Sequence, residues 1–144
     1  MPMRTEDLSL SPAELPWHAL GNGAFFKFLR YSPETGAFSI ILRVDKGGTF
    51  KAHYHEGAAE YLMLKGKMSY TNGIATAGDY GYEALHARHT TTQALEDMEM
   101  FFIGYGPIIF QRSDGSVEAI LDGELLRSIA GGEAATPSFT NNSA

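Results

Sequence analysis

Gly48-Thr49-Phe50-Lys51-Ala52-His53-Tyr54-His55-Glu56-Gly57-Ala58-Ala59-Glu60 is the stretch whose reading decides the fold. It sets His53 and His55 two residues apart, with a carboxylate following at Glu60. In an extended strand, residues i and i+2 share a face, so both imidazoles can converge on one point. After the Gly78-Asp79 turn, His89 offers a third imidazole from another strand; His86, in the loop 83–88, could take its place. Alone, His-x-His also suits two polar residues on a strand's outer face. Glu60 and His89 supply further donors on neighbouring strands, and the reading moves to a divalent-metal site on a β scaffold.

Working outward, strand signals fill the middle of the chain. Phe38, Ile40, Leu42 and Val44 alternate with Ser39, Ile41, Arg43 and Asp45, a period of two with one apolar face. Ser32-Pro33-Glu34-Thr35-Gly36 reads as the turn joining that strand to Phe25–Tyr31, where Phe25, Leu29 and Tyr31 are expected on the core face. Glu60–Lys65 and Lys67–Tyr70 flank Gly66, and Thr71-Asn72-Gly73 is a tight-turn signal. Asp79–Glu83, His89–Leu95 and Asp97–Tyr105 continue the series, with Met98, Met100 and Phe102 alternating toward the core. Ile108–Arg112 and Val117–Leu121 form an expected final hairpin across Ser113-Asp114-Gly115-Ser116. About ten short strands at this spacing predict an antiparallel barrel or sandwich.

Helix is scarce. Ser11 as N-cap and Pro12 at the first helical position predict one turn over Ser11–Leu15. A short helix is expected over Asp122–Ala130, with Leu125, Leu126 and Ile129 on one face and Gly131-Gly132 stopping it. The expected organisation is an N-terminal arm over 1–24, one β-barrel domain over 25–130, and a flexible tail over 131–144. Trp17 and His18 are expected to pack at the barrel end or at a subunit contact.

Composition narrows the function classes. A chain of 144 residues makes one core. Net charge is −6 and no Lys/Arg run exists to neutralise phosphates, which argues against a nucleic-acid partner. No stretch approaches the ~18 apolar residues of a membrane span. Residues 1–16 carry Glu6, Asp7 and Glu14 without an apolar segment, so no signal peptide is read there and a cytoplasmic location is expected. The chain has no cysteine, which removes disulfides, thiolate ligands and a cysteine nucleophile; imidazole and carboxylate must hold any metal.

The two histidine segments resemble the paired motifs of the cupin family. Gly47, His53, His55, Glu60 and Gly66 match the pattern Gly-x5-His-x-His-x3–4-Glu-x6-Gly, with the last spacing one residue short. From Gly78, the second pattern, Gly-x5-Pro-x-Gly-x2-His, ends on His89; Ala84 and His86 stand at its Pro and Gly positions. The resemblance implies an all-β, jelly-roll cupin barrel and favours His89 over His86 as the third ligand. Beyond the motifs, Glu60–Met68, Tyr80-Gly81-Tyr82-Glu83, Gly106-Pro107 and Ser32–Thr35 make the chain similar to the acetylacetone-cleaving dioxygenases. Those are related in turn to the 2,4'-dihydroxyacetophenone dioxygenases and to the cupin domain of ChrR-type anti-sigma factors.

What that resemblance implies is specific. His53, His55 and His89 would hold a non-haem Fe(II), with Glu83 a nearby carboxylate that does not ligate and Tyr61 and Thr92 as polar pocket residues. Glu60 would be a weak fourth ligand or a carboxylate beside the ligands. The implied substrate is a small β-diketone, which loses a proton to become a chelating enolate, and O₂ then joins its central carbon as a carbon–carbon bond breaks. An arginine associated with the pocket of that group has no match near Thr71. A zinc-binding sensor or interaction module of ChrR type, without turnover, is the rival reading; a nickel- or zinc-dependent isomerase or lyase is a third. Apolar strands at both ends of the chain leave edges to cover, so a homodimer or homotetramer is expected.

Overall fold

A computed structural model describes residues 6–71 and 73–136 of the chain. Its strands form three antiparallel sheets. The largest runs in the order β1-β2-β3-β12-β6-β9: β1 (His18–Gly21), β2 (Ala24–Tyr31), β3 (Phe38–Val44), β12 (Met98–Gly104), β6 (Ala59–Lys65) and β9 (Tyr80–Glu83). Facing it are β10-β5-β13-β14, with β10 (Arg88–His89), β5 (His53–His55), β13 (Ile108–Gln111) and β14 (Val117–Leu121). The third is β4-β11-β7-β8, with β4 (Thr49–Phe50), β11 (Thr92–Ala94), β7 (Lys67–Tyr70) and β8 (Gly73–Thr76). The fold is mostly β with one short helix, as the strand spacing predicts.

Inward alternation builds the core. Met98, Met100 and Phe102 of β12 are buried, as are Phe38, Ile40 and Val44 of β3 beside them. The β2 face differs from expectation: Phe26 and Phe28 fill the core, while Phe25 and Leu29 are only half-buried. The run Phe25–Leu29 has large apolar residues on both faces, and Lys27, on the face of Phe25 and Leu29, marks that one as outer. Here the outer side is taken by cations. The Arg43 guanidinium lies 4.2 Å over the Phe25 ring, and Trp17 packs under both Lys27 and Arg43 at 4.7 Å.

Two boundaries also shift. Part of the expected arm is strand: His18–Gly21 pairs with β2 through a turn in which Asn22 and Gly23 both have positive φ, the signature of an Asn-Gly hairpin. Phe25–Tyr31 is therefore an inner strand rather than an edge. The expected strand His89–Leu95 is two strands in different sheets: His89 pairs with His53, whereas Thr92 pairs with Phe50. At the corner between them, the Thr90 N–H donates to the Thr71 hydroxyl at 2.8 Å, replacing a lost ladder bond.

Helix α1 (Gly123–Ala130) starts where Asp122 accepts a hydrogen bond from the Leu125 N–H at 2.8 Å, and it buries Leu126 and Ile129. In the expected tail, the Thr136 hydroxyl donates to the Ala19 carbonyl at 2.9 Å; its remainder, 137–144, lies outside the described residues, as do residues 1–5 of the arm and Asn72 of the tight turn.

Candidate metal centre and cavity

His53 and His55 stand on β5, and His89 faces His53 across the β5–β10 pairing. The three rings form a triangle with centroids 5.2, 5.3 and 4.9 Å apart. Glu83 arrives from the opposite sheet, at the end of β9. Among the described residues, His53, His55, Glu83 and His89 bring one ligand atom each within 4.8 Å of one another.

The polar groups here are arranged for a cation. The Nδ1–H of His53 donates to the Lys51 carbonyl at 2.8 Å. A carbonyl only accepts, so the proton must sit on Nδ1, and Nε2 keeps a free lone pair. Lys51 is itself braced by Glu118 at 2.7 Å. Glu83 Oε2 lies 2.8 Å from His89 Nε2 and 3.5 Å from His55 Nε2, yet neither ring nitrogen makes a directed hydrogen bond. Buried nitrogens without partners are costly, and a shared cation would satisfy one on each ring. The residues therefore fit a divalent metal held by nitrogen and oxygen.

Electrostatics agree. Burial lowers the His53 imidazole to about 4, against the upward pull of the Lys51 carbonyl, so it is a neutral donor at neutral pH. Burial pushes the Glu83 carboxyl up, but the His55 and His89 imidazoles outweigh that and hold it at about 2. Glu83 is ionised at neutral pH.

The other predicted residues separate. Tyr61 and Thr92 line the cavity that opens onto His53 and Glu83. Glu60 does not join the cluster: Ala59, Tyr61 and Met63 point inward on β6, which turns Glu60 to the outer face. There it accepts hydrogen bonds from the hydroxyls of Tyr80 (2.5 Å) and Tyr105, which together lower its pKa. The carboxylate among the imidazoles is Glu83. The sequence reading did not find Tyr70, which also lines the cavity and accepts a hydrogen bond from Tyr61 at 2.5 Å.

His86 is exposed and outside the cluster, but its backbone holds the loop beside it. Its N–H donates to the His55 carbonyl at 2.8 Å, and its φ is +65°. That left-handed conformation explains why the motif carries glycine at this position. His86→Gly is expected to raise stability by up to about 1 kcal/mol, moving the melting midpoint up by ~2–4 °C. A fall in the midpoint, measured by thermal unfolding, would show that the histidine side chain supports the loop.

The cavity lies between the sheets, with about 670 Å³ of empty space counted out to its mouth. Its walls are mainly Phe38, Ile40, Leu42, Met68, Met100 and Phe102. An apolar cleft with a few convergent polar groups suits a small organic molecule.

Comparisons with known proteins agree with this geometry. The model of the ChrR cupin-like domain family matches residues 5–109. The acetylacetone-cleaving enzyme of Acinetobacter johnsonii is 32% identical over 103 residues, 67% of each chain. A solved structure from Methylibium petroleiphilum PM1, provisionally assigned as an acetylacetone dioxygenase, superposes with a TM-score of 0.82 at 30% identity, covering 94% of this chain and 99% of that one. A chain of the complex of Rhodobacter sphaeroides SigE with the anti-sigma ChrR shares the fold at a TM-score of 0.57 and 23% identity, over 64% of this chain and 49% of that one.

Proposed function

We propose, because this chain belongs to the ChrR cupin-like domain family, that it is a non-haem Fe(II) dioxygenase cleaving a carbon–carbon bond of a β-diketone such as acetylacetone. The observation that carries the reading is the triangle of His53, His55 and His89, of which His53 lines a mainly apolar cavity together with Glu83. The relative at 32% identity is named for this cleavage, which supports the choice of substrate. In balance, a β-diketone and one O₂ give a carboxylic acid and an α-ketoaldehyde, with both oxygen atoms retained and no external reductant.

Each residue has a part in this scheme. Bound by the three imidazoles, the iron supplies Lewis acidity toward the diketone oxygens and the redox coupling to O₂. Ionised Glu83 accepts the proton from the central carbon of the diketone. Thr92 and Tyr61 form the polar side of the cavity; Thr92 can meet the oxygens directly, whereas the Tyr61 hydroxyl donates to Tyr70 and acts on them through it. Phe38, Ile40 and Met100 keep water from the enolate.

A second reading has one observation in its favour. His53, His55, His89 and Glu83 make a four-donor set that suits a closed zinc site, as a sensor module without turnover would need. Metal analysis of protein grown in iron-rich medium, combined with O₂ uptake on a panel of β-diketones, separates the two. Stoichiometric iron with diketone-dependent O₂ uptake is the expected result; tightly held zinc with no uptake would favour the sensor. The protein is further proposed to act as a homodimer or homotetramer. Edge strand β9 presents exposed Tyr80 and Tyr82 beside exposed Leu62 and Leu64 of β6. Light scattering on the same preparation should give a multiple of 15.7 kDa; the monomer mass at micromolar concentration would refute it.

A further inference from the structure

We propose that the Tyr70 hydroxyl is the cavity's hydrogen-bond donor to the substrate, and that Tyr61 is a positioning residue that acts through it. This rests on the diketone reading above and names the group that meets the substrate oxygen.

The argument begins with proton counting. The Tyr61 and Tyr70 hydroxyls are 2.5 Å apart, and the pair holds two protons, of which one lies between them. Tyr61 is the inner member: its ring is buried, crosses the Tyr70 ring nearly at right angles (83°), and is pressed against β9 at Gly81, where an added Cβ would come within 2.0 Å of it. Its hydroxyl donates to Tyr70. The remaining proton belongs to half-buried Tyr70, the last residue of β7, which lines the cavity.

Charge makes that proton matter. Among the described residues, no lysine or arginine lines the cavity. Buried or partly buried cations are engaged elsewhere, among them Lys27 with the Pro12 carbonyl and Trp17, Lys51 with Glu118, Arg43 with Asp45, Lys67 with Glu96 and Arg127 with Glu124. A diketone that loses a proton in this cavity places negative charge on its oxygens, and apart from a metal the uncommitted donors lining it are hydroxyls. Thr92 is the alternative donor, but a phenol is the more acidic group and bonds an anionic oxygen more strongly. The Tyr61 proton on the Tyr70 oxygen polarises the phenol further. Tyr70 therefore stabilises the enolate more than the neutral diketone.

The test uses zinc-loaded protein, which binds without turning over, titrated with acetylacetone by calorimetry and by the near-ultraviolet band of the bound enolate. Tyr70→Phe is expected to retain its metal, to bind acetylacetone about tenfold or more weakly, and to move enolate formation to higher pH by about one unit, the same tenfold factor. Tyr61→Phe should give a shift in the same direction but several-fold smaller, because it removes only the polarising hydrogen bond. Two results overturn the assignment: an unchanged enolate pH profile in Tyr70→Phe, or a larger shift in Tyr61→Phe than in Tyr70→Phe. The diketone reading fails separately, if iron-loaded wild type consumes no O₂ while zinc-loaded wild type still binds the enolate.

Discussion

Alanine at His53, His55 or His89 is expected to remove most of the bound metal, and with it the diketone-dependent O₂ uptake. Each imidazole supplies one of three ring nitrogens gathered at one point, and no other described histidine lies in the cluster. Losing a partner behind a ligand typically costs ~10–100-fold in metal affinity, so losing a ligand should exceed about 10²-fold. The three variants need not fail alike. His55 is almost fully buried, so His55→Ala also opens a cavity in the wall, and its thermal stability should fall even without metal. His53 lines the open cavity, so His53→Ala should leave the metal-free protein close to wild type in stability. His86→Ala is the control: His86 is exposed and touches the site only through its backbone, so metal content should not change. Elemental analysis after dialysis against a weak chelator reads all four variants. Metal retained by His89→Ala and lost by His86→Ala would reverse the assignment.

How far the site could be read beforehand follows from what each residue depends on. His53 and His55 were legible because a strand's period of two is local, and the pairing of His89 with His53 came with the motif spacing. The parity of Glu60 was also local. Ala59, Tyr61 and Met63 are the more apolar alternate set on β6, and that set faces inward; choosing Glu60 as a donor overlooked it. Glu83 came from resemblance, because its meeting with the imidazoles depends on the largest sheet closing over the β5 sheet, and no short-range pattern encodes that. Tyr70 was hidden for the same reason: its partner is Tyr61 on another sheet. The β2 face was misjudged because large apolar residues stand on both sides of Phe25–Leu29; Lys27 within the run and Arg43 on the neighbouring strand mark the side of Phe25 and Leu29 as outer. Strand β1 was missed although Asn22-Gly23 marks its hairpin, a signal that the reading of 1–24 as an arm passed over.

Glu83→Gln is expected to keep the metal and lose turnover by ~10²–10⁴-fold, the range for removing a general base. The three imidazoles are untouched by this change, and the amide has nearly the shape of the carboxylate, so the cluster should stay assembled. What changes is charge and basicity. Glu83 is largely buried beside His55 and His89, which keep it ionised, and an amide in its place cannot accept a proton from the diketone carbon. The dependence on substrate tests the role. A diketone that already exists mainly as enolate at the assay pH needs no proton abstraction, so the penalty of Glu83→Gln should shrink as the substrate becomes more acidic. If Glu83 serves only to orient the ring of His89, the loss should instead be the same for every diketone and should stay small. Kinetics over a series of diketones of graded acidity, with metal content measured on each sample, separate these cases. Loss of metal from Glu83→Gln would make the carboxylate a ligand and strengthen the four-donor zinc reading. Unchanged turnover at full metal content would leave Glu83 without a part in the chemistry, and the proton of the central carbon would have to leave by another route.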